Sequence, residues 1–147
     1  MGSNAFYVIR DRTPVNRNKA NESQIRRLVG NWAQAARKED MNGVLSQHAN
    51  DIVMFDVPPP LQSKDIAAYK KTWELFFSWS QGSGVFDLSE LKIAASDTVA
   101  FCHAIGTCAG RAKNGKTVKL KFRLTIGFRK IHGKWVITHE HHSLPSE

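Results

Sequence analysis

Asp56, set between Phe55 and Val57, and the histidines His103, His139 and His141 are the side chains best suited to move a proton in this chain. In residues 133–143, Trp135, Ile137, His139, His141 and Ser143 alternate, so an extended strand puts two apolar side chains and two imidazoles on one face. A face that begins as core and continues as imidazole reads as the wall of a pocket; the alternative is that the strand leaves the core at Thr138 and the histidines stand in water. His103 alternates in the same way with Phe101 and Ile105 and shares their face. Asp56 is costly to bury as an anion, so it must be paired, exposed at a strand end, or shifted upward in pKa. As a general base it needs an apolar wall, and Phe55, Trp73 and Phe76 are the side chains to supply one.

The register of the last strand stays open. A bulge would swing Thr138, Glu140 and His142 inward and turn His139 and His141 out. Histidines at i and i+2 with a carboxylate nearby also permit a shared metal ion, although that spacing alone specifies little. Ser143 is terminal and neither cysteine lies in a recognisable motif, so spacing shows no nucleophile–base pair. Gly82-Ser83-Gly84 neither follows a strand nor opens a helix, so it is no phosphate loop.

The elements that must position these groups follow from periodicity. Ile25, Leu28, Val29, Trp32 and Ala36 recur at helical spacing, with Asn21 as cap and Gln24 as its capping-box partner. Asp40 caps a short second helix carrying Met41, Val44 and Leu45; lone His48, near its end, reads as solvated. A strand over 51–57 ends at Asp56 and Pro58-Pro59-Pro60, which stops pairing. A third helix after Ser63 carries Ile66, Tyr69, Trp73, Phe76 and Phe77 on one side and runs to about Ser80. Strands over 85–95, 98–109, 117–131 and 134–143 follow, separated by Ser96-Asp97, Asn114-Gly115 and His132-Gly133. Three helices followed by an antiparallel meander predict an α+β fold, with the helices laid on one face of a strongly curved antiparallel sheet to form a cone-shaped barrel.

The 147 residues, 41% hydrophobic and 23% charged, suit one core. Residues 1–21 read as a flexible arm, with Met1 to Ala5 resembling an expression-tag scar, and 22–147 as the domain. Cys102 and Cys108 lie six residues apart on one strand, too far to pair, so reduced thiols and a cytoplasmic location are expected. No apolar run approaches the ~20 residues of a membrane span. The net charge of +8 gathers partly in residues 111–134, with nine Lys or Arg and no acid. There Lys119, Lys121 and Arg123 alternate with Leu120, Phe122 and Leu124, the pattern of a half-buried strand with a basic outer face. Nucleic acid is disfavoured, because the aromatic rings point away from the basic side chains.

The order of elements, the acid closing the first strand and the terminal Gly-Lys-Trp-x-Ile-x-His-Glu-His-x-Ser segment resemble the SnoaL-like and ketosteroid isomerase-like proteins of the nuclear transport factor two superfamily. The resemblance spans about residues 22–145. It implies a cone that binds a compact apolar or polycyclic carbonyl compound, a homodimer through the outer sheet face, and neither metal nor cofactor. Asp56 falls where ketosteroid isomerase has its proton-shuttling aspartate. Trp32 falls near its oxyanion-hole tyrosine and Phe122 near the protonated aspartate beside it, and these departures disfavour steroid isomerisation.

The expected activity is therefore proton abstraction next to a carbonyl, in an isomerase, cyclase or lyase, with Asp56 as base. His103, His139 and His141 would position substrate or move protons, and Trp32, Phe55, Trp73, Phe76, Phe101 and Phe122 would line the site. The competing expectation is a non-catalytic ligand-binding or dimerisation module of the same fold.

Overall fold

The stripe Ile25, Leu28, Val29, Trp32 and Ala36 is buried as its spacing requires, on helix α1 (Ser3–Arg37). The computed structural model describes residues 3–146, with side chains from Arg17 onward. The expected arm over residues 1–21 thus lies mostly outside the described side chains. Asn21 sits within the helix and does not cap it. Its buried amide accepts from Lys130 Nζ (2.7 Å) and Trp135 Nε1 (3.3 Å) and donates to the Ser96 carbonyl (3.0 Å), fastening α1 to the sheet.

Asp40 caps α2 (Met41–Leu45) by accepting from Gly43 N–H, as its position before the apolar run predicts. The chain continues through β1 (His48–Phe55), β2 (Ser63–Lys64) and α3 (Ile66–Ser80). Asp65 is the cap of α3, taking Ala68 N–H, while Ser63 is spent in β2. Then come β3 (Phe86–Ala95), β4 (Val99–Arg111), β5 (Thr117–Ile131) and β6 (Lys134–Ser143), close to the expected bounds.

The six strands form one curved, unclosed sheet in the order β2-β1-β6-β5-β4-β3. Its meander β3–β6 is antiparallel, but β1 runs parallel to β6, so the sheet is mixed. Tight hairpins fix the direction of β3 to β6, whereas β1 joins through helix α3 and a long excursion, and no hairpin fixes its sense. Helices cover one face. The core there gathers Trp32, Tyr69 and Trp73 with Ile52, Phe86, Leu124, Ile126, Phe128 and Ile137 from the strands, and burying such a side chain is worth about 1.5–3 kcal/mol.

Two features shape the inner face. On β4 it is built of small residues, and a Cβ placed on Gly106 or Gly110 would sit 2.2 Å from the Phe122 or Trp79 ring. Aromatic rings from β5 and α3 lie where the side chains of β4 are missing. On β6 the pairing slips: Ile137 faces Phe128 and His139 faces Gly127, leaving Thr138 as an extra residue. Beyond that bulge the alternation inverts, so Glu140 and His142 are buried while His141 is exposed.

Candidate active site

A cavity of about 390 Å³ opens between α3 and the inner face of the sheet. Trp73, Phe76, Trp79, Phe86 and Phe122 supply most of its wall, and neither Lys nor Arg lines it. Asp56 and His142 are its titratable lining groups apart from the Cys108 thiol. Asp56 follows β1 directly, and its Oδ1 accepts Val57 N–H (2.8 Å) and stands 4.0 Å from His142 Nδ1. Burial raises its pKa, with Glu140 adding to the rise, against the opposing pull of His142 and the Val57 N–H. A carboxylate so placed is a stronger base than one in water.

His142 is held on three sides. Phe122 stacks on its ring at 5.3 Å and 22°, the Trp32 ring meets it edge-on at 6.1 Å, and Nε2–H donates to Glu140 Oε1 at 3.1 Å. Glu140 is wholly buried, and its other oxygen accepts from His48 Nε2 (2.8 Å) and the Tyr69 hydroxyl (2.7 Å). Burial alone would push this carboxyl up, but the hydrogen bonds and positive charge of His142 and His48 outweigh it and hold the pKa at about 2. Tyr69 is pushed well above its ordinary value by burial and by the Glu140 charge, so it stays a neutral donor. Trp32 Nε1–H donates to the Tyr69 oxygen at 3.2 Å. The Trp73 indole N–H contributes to the field at that hydroxyl but closes no hydrogen bond of acceptable geometry.

Of the side chains singled out in the sequence, Asp56, Trp73, Phe76 and Phe122 line the cavity. Trp32 does not; it packs against His142 and borders a smaller hollow of about 270 Å³ between α1 and α2. The expectation that His139 and His141 share the face of Trp135 and Ile137 is corrected by the bulge at Thr138. Both lie on the outer face against Phe55, at 4.8 and 5.4 Å, and His139 Nδ1 donates to the Val53 carbonyl. Phe55 is therefore outside as well. His103 and Phe101 are exposed on that face too, because the inward positions of β4 are Cys102 and Ala104.

His48 and Tyr69 were not expected at the site, and Glu140 and His142 were expected there only if the last strand carried a bulge, which it does. Gly127, a glycine inside β5, stands opposite His139 just past the bulge in β6. Tyr69 in an otherwise apolar stripe carries a hydroxyl that needs a buried partner. Cys108 reaches the cavity as a neutral thiol, pushed to about 11 by burial and by the Asp56 charge. Among the described residues, no group of three or more His, Cys, Asp or Glu is arranged to hold a metal ion. Nor is any helix long and apolar enough to cross a membrane.

The sequence profile of the SnoaL-like domain family matches residues 25–147, which takes in every residue of this site. The chain belongs to the SnoaL-like domain family. An NTF2-like protein of unknown function from Pseudomonas putida is 32% identical to this SnoaL-like chain, over 88% of this chain and 89% of its own, at a TM-score of 0.76. A ketosteroid isomerase-like protein from Erwinia carotovora atroseptica shares 15% identity over 85% and 96% of the two chains, TM-score 0.70. The association domain of C. elegans CaMKII shares 14% over 86% and 98%, TM-score 0.66. These last two show the likeness of fold alone. None of the curated proteins matches the SnoaL-like chain in sequence.

Proposed function

We propose that this SnoaL-like protein is a proton-transfer enzyme, an isomerase, cyclase or lyase, acting on a compact, uncharged, apolar or polycyclic carbonyl compound. The observation that carries the reading is a carboxylate and an imidazole 4.0 Å apart on one wall of an aromatic cavity. Asp56 takes the proton from the carbon beside the carbonyl. His142, as an imidazolium supported by the Glu140 charge, gives its Nδ1 proton to the developing enolate oxygen, is left neutral with Nε2 protonated, and takes that proton back when the carbonyl re-forms. Trp73, Phe76 and Phe122 hold the ring system. The substrate is uncharged because neither Lys nor Arg lines the cavity to meet an anion, the charge of His142 is matched by Glu140, and Asp56 adds a carboxylate of its own.

His103, His139 and His141 have no part in this chemistry. With Phe101, Val99 and Ile131, the last three 43–50% exposed, they belong to an outer face that we assign to a homodimer. The free cysteines fit a reducing, cytoplasmic setting. A second reading, a non-catalytic ligand-binding or association module, is favoured by the likeness to the CaMKII association domain.

A thermal-shift screen of bicyclic ketones and their carboxylate analogues, on wild type and Asp56→Asn, separates the two. The enzyme reading expects ketones to raise the melting temperature, carboxylates to do nothing, and bound ketones to be chemically altered by wild type only. Ketones that bind and come back unaltered from wild type would establish the module instead.

A further inference from the structure

We infer that Glu140 is a positioning residue, clamped by His48 and Tyr69, that fixes Nε2 of His142 as the protonated nitrogen and leaves Nδ1 to face the cavity. The inference rests on the proposed proton-transfer site for its purpose but not for its geometry. Proton accounting across the buried cluster leads to it. His48 Nδ1 lies 2.8 Å from the Ser46 carbonyl and Nε2 lies 2.8 Å from Glu140 Oε2, both acceptors. A neutral ring would set a lone pair against an oxygen, so His48 donates from both nitrogens and is a buried imidazolium.

That assignment settles the next proton. The Tyr69 hydroxyl lies 3.0 Å from His48 Nε2, which has no lone pair to offer, and 2.7 Å from Glu140 Oε2, so its single hydrogen goes to Glu140. Trp32 Nε1–H completes the hydroxyl by donating to its oxygen. Glu140 Oε2 is thereby saturated and its charge balanced by His48, leaving Oε1 as the acceptor for His142 Nε2–H at 3.1 Å. The stacked Phe122 ring restrains His142 from turning over. Side chains that do not line the cavity, Trp32 on α1, His48 at the start of β1 and Tyr69 on α3, thus choose which nitrogen meets the substrate.

The experiment is imidazole ¹⁵N–¹H NMR on the intact protein, read for His142 where its ring is neutral. Wild type is expected to show His142 protonated at Nε2 and bare at Nδ1, and His48 protonated at both nitrogens. In Glu140→Gln the single His142 tautomer gives way to a mixture. In parallel, kcat for a ketone that wild type turns over falls about 100-fold or more, with KM within a few-fold, as for a misoriented catalytic histidine. His142 protonated at Nδ1 in wild type, a singly protonated His48, or an unchanged His142 pattern in a folded Glu140→Gln protein would each overturn the inference. If Glu140→Gln fails to fold, the two wild-type signatures still decide it. A correct tautomer with no turnover of any ketone would count against the enzyme reading and leave the clamp standing.

Discussion

Replacing Glu140 by glutamine keeps the size of the side chain and removes its charge from the centre of the buried cluster. The amide oxygen can serve either His142 or the His48–Tyr69 pair, and the NH2 group then confronts a donor on the other side. His48 is left as a buried cation without its counter-charge. A carboxyl pulled from its ordinary 4.5 to about 2 corresponds to about 3 kcal/mol at roughly 1.4 kcal/mol per unit. Breaking a buried pair from one side costs about 3–5 kcal/mol, which agrees. For a chain of this size that lowers the melting temperature by about 6–12 °C at pH 7. The folded-state pKa is depressed, so the stabilisation is complete above about pH 4.5 and drains away as pH falls toward 2. Thermal unfolding of wild type and variant from pH 7 to pH 3 should show a gap that narrows with acid. Equal melting at pH 7, or a gap that widens on acidification, would show that the Glu140 charge does not hold the cluster together.

Asp56→Asn carries the opposite sign. Its folded pKa is raised, so at neutral pH the charged carboxyl detracts from stability. The variant should therefore melt higher than wild type at pH 7, with the difference closing below about pH 4, where both side chains are neutral. Gly106→Ala drives a methyl into the Phe122 ring and should cost about 1–3 kcal/mol in a denaturant titration. The displaced ring narrows the cavity, so the melting shift given by bicyclic ketones should shrink as well. Asn21→Ala strips the buried Trp135 N–H and Lys130 of their acceptor, and a loss of about 2–4 kcal/mol is expected by the same titration.

The fold was legible because its signals are local. The stripe on α1, the aromatic face of α3 and the turns between β3 and β6 each depend on neighbours within a few residues, and each formed nearly where periodicity put it. The parallel pairing of β1 with β6 joins segments about ninety residues apart, and no local pattern reports it. The site was half legible. Asp56 stands out as an acid among apolar residues at a strand end, and Trp73, Phe76 and Phe122 follow from the stripes that carry them. His139 and His141 were misplaced by one extra residue, Thr138, because a period of two has no memory of a bulge. His48 looked like a solvated helix end; only its distance to Glu140, a contact between β1 and β6, gives it a partner.

In the proposed chemistry Asp56 and His142 act together on a ligand held in the aromatic cavity. Deuterium exchange at the carbon beside the carbonyl of β-tetralone, followed by NMR in D2O with wild type, Asp56→Asn and His142→Asn, tests it most directly. Wild type should exchange that position faster than buffer, and each variant should fall short by about 100-fold or more. Exchange by Asp56→Asn at the wild-type rate would show that Asp56 is not the base.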